Sequence, residues 1–213
     1  MALKMCYCPA MPIRNVEKEY VSDSYYHIYN RGVNKADIFL DRRDYLCFLS
    51  LFKRYLSKDT LRRRDHFLYP NFHDQIELLA YCLMPNHFHL FIYQNEPDAM
   101  EKLMKSLGVA YAMYFNKRYK RAGPLCQQTY KAVRIIDDGQ LLHISRYIHM
   151  NPEKYQSYEW TSLPYYLGKQ HAEWLRTGRL RELFGDNDYH EFLSEYEDQR
   201  AELKILKEEL ADA

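Results

Sequence analysis

The chain has 213 residues, of which 47% are hydrophobic and 28% charged, and its formal net charge is +1. A chain of this length and apolar content can bury one well-formed core and add a smaller unit. Its apolar runs are far shorter than the roughly 20 residues of a membrane-spanning helix, and its start lacks the apolar stretch of a signal peptide. Five cysteines, an odd number, lie scattered along the chain. We therefore expect a soluble, cytoplasmic protein with reduced thiols rather than a disulfide framework.

The charges are unevenly distributed along the chain. Between Lys102 and Ile136 basic residues occur without any Asp or Glu, whereas acidic residues predominate after Glu182. A basic middle and an acidic end are typical of a protein that meets phosphate groups on one side only.

The first predicted elements are a strand and a helix. Residues Tyr25 to Asn30 form a β-rich run that ends at Arg31-Gly32. Asp41 then precedes a series with helical spacing, which predicts an amphipathic helix. Its apolar face comprises Tyr45, Phe48, Leu49, Phe52, Tyr55 and Leu56.

A hairpin is predicted next, after a polar stretch from Ser57 to Asp74. Residues Gln75 to Met84 have the composition of a strand, and Pro85-Asn86 is a turn signal. The returning strand begins with His87-Phe88-His89. Both histidines are therefore expected near the turn end of a hairpin.

A second helix, a fourth strand and a third helix complete the predicted order. Pro97-Asp98-x-x-Glu101 has the spacing of a capping box. Residues Gln128 to Ile136 alternate as in a strand, and the third helix is expected from about Gln140 to Met150. The apolar face of the second helix comprises Met100, Leu103, Met104, Leu107, Tyr111 and Tyr114.

This order predicts an α+β fold of the ferredoxin-like type (split βαβ, RRM-like). Such a fold has a four-stranded antiparallel sheet with helices, and a mostly helical C-terminal extension would follow it. We assign 1–23 to an N-terminal extension, 24–157 to the main domain and 158–213 to the C-terminal extension. The strand with His87 and His89 would lie at the centre of the sheet, where the third helix could cover it.

His87 and His89 form the most distinctive pair in the sequence. Alternate strand residues share a face, so the two imidazoles point the same way and could hold one divalent ion. Such a pair also occurs by chance in an apolar strand, and hydrogen bonds from other groups would then satisfy the two buried rings.

The third helix carries polar residues beside its core stripe of Leu141, Ile144 and Ile148. Tyr147 and Asn151 are four residues apart and share one flank of this stripe. If this flank faces the histidine pair, Asn151 can give an amide oxygen to the ion. Alternatively, Tyr147 is one more packing residue among 21 tyrosines, and Asn151 ends the helix before a proline.

Three separated motifs carry a family resemblance that covers about Ser24 to Tyr158. They are His27-Ile-Tyr-Asn-Arg-Gly32, then His87-Phe88-His89 after Met84-Pro85-Asn86, then Arg146-Tyr147-Ile-His-Met-Asn151-Pro152. Together, in this order, they resemble the HUH-type single-tyrosine transposases of bacterial insertion sequences. Many insertion-sequence members carry Gln where this chain has Asn151, so the chain is more similar to the REP-associated branch.

The resemblance implies a function and a set of site residues. His87, His89 and Asn151 match the metal ligands, and Tyr147 matches the nucleophile. The implied enzyme is a metal-dependent single-stranded DNA endonuclease and strand transferase that uses Mg²⁺ or Mn²⁺ and acts on palindromic hairpin repeats. It would form a 5′-phosphotyrosine and a free 3′-OH without ATP. A monomer is favoured over a homodimer, and a cytoplasmic, nucleoid-associated location is expected.

Basic and aromatic residues are candidates for DNA contact, although each could equally be part of a solvated helix end. These candidates are Arg31, Arg62, Arg63, Arg64, Lys117, Arg118, Tyr119, Lys120, Arg121, Lys131 and Arg134. His143 and His149 are expected to be solvated helix histidines rather than the general base. The alternative function is a regulatory protein that binds DNA or RNA hairpins without cutting; the RNA version would use Phe91 and Tyr93 for stacking.

An amphipathic stripe is predicted in the acidic C-terminal segment. Such a stripe either binds a partner helix or, more often, packs on its own domain. Its apolar positions are Tyr189, Phe192, Tyr196, Leu203, Leu206 and Leu210.

Overall fold

The computed structural model describes residues 20–59, 68–184 and 189–197. The predicted basic residues Arg62, Arg63 and Arg64 lie outside these ranges, as do the C-terminal stripe positions Leu203, Leu206 and Leu210. Within them, none of the helices is long and apolar enough to cross a membrane. Cys47, Cys82 and Cys126 are free thiols, as predicted.

Four strands form one antiparallel sheet. They are β1 (Ser24–Arg31), β2 (Ile76–Met84), β3 (His87–Gln94) and β4 (Lys131–Ile135), and their order across the sheet is β2-β3-β1-β4. β3 therefore lies at the centre, paired with β2 on one side and β1 on the other. The prediction of an α+β fold with a four-stranded antiparallel sheet is confirmed. β4 is shorter than predicted because only Lys131–Ile135 has a register with β1.

Two long helices cover one face of the sheet. α1 (Arg42–Leu56) begins after Asp41, whose side chain accepts hydrogen bonds from the backbone of Arg43 and Asp44. This is the N-cap that the sequence predicts. The predicted apolar face is buried in α1 except at Leu49, which is half-buried.

α2 (Ala99–Arg118) follows the predicted helix, but the predicted capping box is wrong. Asp98 has a φ of 61° and its side chain makes no capping hydrogen bond. The first turn is capped from a distance instead, because the buried side chain of Gln94 accepts a 3.1 Å hydrogen bond from the backbone of Met100.

The opposite face of the sheet packs against α3 (Asp138–His149). Three further helical segments lie beyond it: α4 (Leu163–Tyr166), α5 (Gly178–Phe184) and residues 189–197. A second apolar cluster, which includes Phe91, Leu141 and Ile148, fills this layer. The predicted third helix is thus confirmed, and it covers the central strands.

Residues after α3 also protect the free edge of β2. The backbone of Leu83 donates to Trp160 O at 2.9 Å, and that of Ser162 donates to Tyr81 O at 3.0 Å. Farther along, Arg176 donates to Leu78 O at 2.8 Å. A sheet edge covered in this way cannot pair with another chain.

Candidate active site

Two neighbouring strands bring polar rings to the face of the sheet that α3 covers. In the register of β1 and β3, Tyr29 lies opposite His89 and Arg31 opposite His87. Because opposed residues share a face, and alternate residues along a strand do too, His27 joins this set. Five polar side chains therefore lie on one patch of sheet, and the sequence motifs at both strands contribute to it.

His89 is held by a third histidine. Its Nδ1 lies 2.9 Å from Nε2 of His27, and the two rings stack with centroids 5.1 Å apart at an angle of 18°. Both side chains are buried. Burial lowers the pKa of His27 to about 4 and that of His89 well below its ordinary value. Both rings are therefore neutral at physiological pH.

His87 lies next to His89 at the turn end of β3. Its Nδ1 is 2.6 Å from the amide oxygen of Asn86, and its ring is perpendicular to that of His89 with centroids 5.1 Å apart. Burial lowers the pKa of His87. A hydrogen bond with Asn151 opposes this decrease, and the nearby charge of Arg31 adds to it. This ring is also a neutral imidazole above its lowered pKa.

α3 places the predicted tyrosine at the histidines. The helix starts after Asp137, whose side chain accepts a 3.0 Å hydrogen bond from Gln140 N. The Tyr147 ring lies 5.3 Å from that of His89 and 5.8 Å from that of His27, edge-on to both. It is 41% exposed, so a substrate can reach it.

The surroundings of Tyr147 do not make its hydroxyl more acidic. Partial burial of the ring and the neighbouring Tyr29 raise the pKa of Tyr147, and a hydrogen bond with Asn151 offsets only part of this increase. Asn151 follows the end of α3 and interacts with both Tyr147 and His87. The structure thus brings together all four residues that were predicted as nucleophile and metal ligands.

His149 was predicted to be a solvated helix histidine, and this is wrong. Its side chain is completely buried, with Nδ1 2.5 Å from the hydroxyl of Tyr189 and Nε2 2.6 Å from that of Ser162. Burial lowers its pKa to about 3. Because both ring nitrogens are engaged away from Tyr147, His149 cannot serve as its general base. His143 is exposed, as predicted.

The donor groups fit a divalent cation. Nδ1 of His87 lies at hydrogen-bond distance from Asn86 and Nδ1 of His89 at hydrogen-bond distance from His27, so Nε2 is the ring nitrogen that these two contacts do not use. No group of three or more His, Cys, Asp and Glu among the described residues could hold a metal by itself. Asn151, which interacts with both His87 and Tyr147, is the residue whose amide oxygen could join the two imidazoles as a third ligand.

The predicted DNA-contact residues separate into those at the site and those elsewhere. Arg31 is exposed beside His87, and the amine of exposed Lys131 lies 5.6 Å from the centre of the Tyr29 ring. Arg134 is paired with Tyr26 and therefore points to the other face of the sheet, away from the site. The exposed cations at the end of α2 are Lys117, Lys120 and Arg121.

Arg118 and Tyr119 were predicted to track and stack on DNA, and the structure assigns them another role. Arg118 forms ion pairs with Asp41 and with Asp44, the latter at 2.7 Å. The Tyr119 hydroxyl donates to Asp44 at 2.8 Å, and its ring packs on Phe115 with centroids 4.6 Å apart. Asp44 is completely buried, so these two residues compensate a buried charge at the contact of α1 and α2.

Sequence reasoning missed His27, Tyr29, Asn86 and Gly32 as parts of the site. The alternation of His27, Tyr29 and Arg31 in one motif was the signal available for the first two. Gly32 is needed for a close approach: its backbone donates to Asn86 O at 2.9 Å, and a Cβ there would be 2.0 Å from a backbone oxygen of Ala36. Nothing local in the sequence indicates that contact.

Comparison with known proteins identifies a family and a similar fold. Residues 20–151 match the sequence profile of the family described as "Transposase IS200 like". Among solved structures, a REP-associated tyrosine transposase bound to a REP hairpin matches with a TM-score of 0.55 and 13% identity, covering 77% of this chain and 92% of that one.

A second solved structure, of a candidate transposase from Deinococcus radiodurans R1, has a TM-score of 0.38 and 15% identity, with 63% of this chain and 95% of that one covered. No curated protein sequence matches the chain. The family profile spans the first two motifs, the third as far as Asn151, all four strands and the helices α1 to α3. The chain belongs to the family of IS200-like transposases.

Proposed function

We propose that this transposase is a divalent-metal-dependent enzyme that cuts and rejoins single-stranded DNA with Tyr147 as its nucleophile. The observation that carries the proposal is the convergence of Tyr147, His87, His89 and Asn151 from one strand and one helix. Tyr147 is the exposed member of this group and stands edge-on to two neutral imidazoles. An exposed phenol beside such donors has both the access and the neighbours that attack on a phosphodiester needs.

In the proposed reaction, the Tyr147 oxygen attacks phosphorus in line with the leaving 3′ oxygen. The new bond joins Tyr147 to the 5′ phosphate, the bond from phosphorus to the 3′ oxygen breaks, and the 3′-OH takes a proton as it leaves. Because one phosphodiester replaces another, attack by a 3′-OH on the phosphotyrosine reverses the step and joins strands without ATP.

His87, His89 and Asn151 would hold Mg²⁺ or Mn²⁺ at this site. The bound ion supplies charge neutralisation at the non-bridging oxygens of the scissile phosphate. The chain's own contribution is to keep the two imidazoles neutral by burial and to orient that of His87 through Asn86. The raised pKa of Tyr147 means that its proton must be accepted as attack begins, and His149 is not the acceptor.

Hairpin DNA is the substrate we propose, with Arg31, Lys131, Lys117, Lys120 and Arg121 along its phosphates. The similar fold of a transposase that is bound to a REP hairpin supports this choice, as does the exposure of these cations. The REP-associated branch, a location in the cytoplasm at the nucleoid and action as a monomer belong to the same proposal.

A protein that binds hairpins without cutting is the second candidate. Its RNA version relied on stacking by Phe91 and Tyr93. Both are buried beneath the α3 layer, and the guanidinium of Arg179 lies 3.8 Å from the centre of the Tyr93 ring. The alternative that an experiment must distinguish from the proposed enzyme is therefore a protein that binds DNA hairpins without cutting them.

The test is a covalent-capture assay. The protein is incubated with Mn²⁺ and a labelled single-stranded DNA that contains the palindromic repeats flanking its own gene, and adducts that resist denaturant are separated on a gel. We expect an adduct with the wild type and with Tyr69→Phe, a matched change remote from the site, and none with Tyr147→Phe. Hairpin binding by Tyr147→Phe should be retained. Binding without any adduct from the wild type would favour the non-cutting candidate.

A further inference from the structure

We infer that His27 is a positioning residue that fixes the tautomer of His89 and so presents Nε2 of His89 to the divalent cation. The inference rests on the proposed function, because it concerns the same site. It assigns a role to His27 on β1, a residue that takes no direct part in the reaction proposed above.

The geometry of the two rings carries the inference. Nε2 of His27 lies 2.9 Å from Nδ1 of His89, which is hydrogen-bond distance, and the near-parallel stacking at 18° keeps the nitrogens in register. One of the two nitrogens must carry the proton. If Nδ1 of His89 carries it, then Nε2 of His89 has a free lone pair, the form that binds a metal.

The other metal histidine has the same arrangement with a different partner. Nδ1 of His87 is 2.6 Å from the amide oxygen of Asn86, an atom that only accepts hydrogen bonds. That contact requires the proton of His87 on Nδ1 and therefore leaves the lone pair on Nε2. His27 would do for His89 what Asn86 does for His87, so that the two ligands offer equivalent nitrogens.

His27 is well placed to hold this state steadily. It is 8% exposed, and its ring also contacts Tyr29 by stacking at 5.3 Å and Tyr147 edge-on at 5.8 Å. The His27 ring packs between Tyr29 and Tyr147 and cannot rotate away from His89 without displacing Tyr147. The position of His27 against His89 is therefore fixed before any ion binds.

Two substitutions separate the hydrogen bond from the packing. His27→Phe keeps an aromatic ring against His89 and Tyr147 but removes the acceptor. His27→Gln puts an amide near the former Nε2, so that an acceptor for Nδ1 of His89 is restored. His171→Gln, at an exposed histidine remote from the site, is the matched control.

The first measurement is the tautomer of His89 in the metal-free protein, read from ¹⁵N chemical shifts of labelled histidines. We expect protonation at Nδ1 in the wild type and in His27→Gln, and a shift toward protonation at Nε2 in His27→Phe. Protonation of His89 at Nε2 in the wild type would overturn the inference, and that measurement needs neither activity nor a variant that folds.

The second measurement is the affinity for Mn²⁺ in the absence of DNA. Loss of such an orienting partner weakens metal binding by about 10- to 100-fold, which is the effect expected for His27→Phe, whereas His27→Gln should stay within about threefold of the wild type. Adduct formation by His27→Phe should then recover at high Mn²⁺. If His27→Phe binds Mn²⁺ as tightly as the wild type while His87→Ala loses binding, the inference about His27 is overturned and the proposed metal site is not. If the wild type does not bind Mn²⁺, the proposed metal site itself is overturned.

Discussion

Replacing His149 with phenylalanine is expected to loosen the helix that carries Tyr147. The buried His149 ring joins α3 to Ser162, which lies on the edge of the sheet, and to Tyr189, in the helical segment 189–197. Its two hydrogen bonds measure 2.6 and 2.5 Å.

The magnitude follows from these two bonds. Each is expected to contribute about 1 kcal/mol net, and each buried hydroxyl loses one partner, so the free energy of unfolding should fall by about 2–3 kcal/mol. For a chain of this size that corresponds to a melting temperature lower by about 5–10 °C. Adduct formation should weaken as well, because Tyr147 is two residues away on the same helix.

The assay is thermal denaturation followed by circular dichroism, with His143→Phe as the matched control. His143 lies on the same helix with an exposed side chain. A double-mutant cycle with Tyr189→Phe should give a coupling energy of about 1 kcal/mol. If His149→Phe melts within about 1 °C of the control, the ring does not anchor α3 and the reasoning fails.

Three other changes test separate parts of the structure. Arg118→Ala should lower the free energy of unfolding by about 3 kcal/mol in a urea titration, because it leaves the buried carboxylate of Asp44 without its cation. The control Lys117→Ala should leave the free energy of unfolding nearly unchanged. Equal losses in the two variants would refute the role assigned to Arg118. Gly32→Ala should cost at least about 2 kcal/mol, since its Cβ would overlap a backbone oxygen; a wild-type melting temperature would contradict this. Burial raises the pKa of the Cys126 thiol to about 11. Alkylation of Cys126, followed by mass spectrometry, should therefore be slow at neutral pH and become about tenfold faster with each pH unit up to the pKa. Alkylation at neutral pH as fast as that of a free thiol would contradict this prediction.

Periodicity was sufficient to predict the order of strands and helices, because it reports which face of an element is buried. The apolar stripe of α1 and its cap at Asp41 are local patterns, and both are present. The cap of α2 is not local: Asp98 lies in the left-handed region, and Gln94 from the end of β3 satisfies the first turn. Residue spacing within the helix cannot predict a capping residue, such as Gln94, that lies on a neighbouring strand.

The candidate site shows the same division. His87 and His89 could be paired from their alternation, and Tyr147 with Asn151 from helical spacing and the family resemblance. The role of His27 depends on the register of β1 against β3, which is a tertiary property. Basic residues were the least predictable, because a charge such as Arg118 binds phosphate or a carboxylate according to what lies opposite it.

The central claim is that Tyr147 becomes covalently joined to DNA, and the most direct measurement is the identity of the joined residue. The adduct formed with Mn²⁺ and a hairpin substrate can be digested with protease and nuclease, and the nucleotide-bearing peptide sequenced by mass spectrometry. We expect a phosphotyrosine linkage to the 5′ end at Tyr147. A linkage at any other residue, or to the 3′ end, would contradict it.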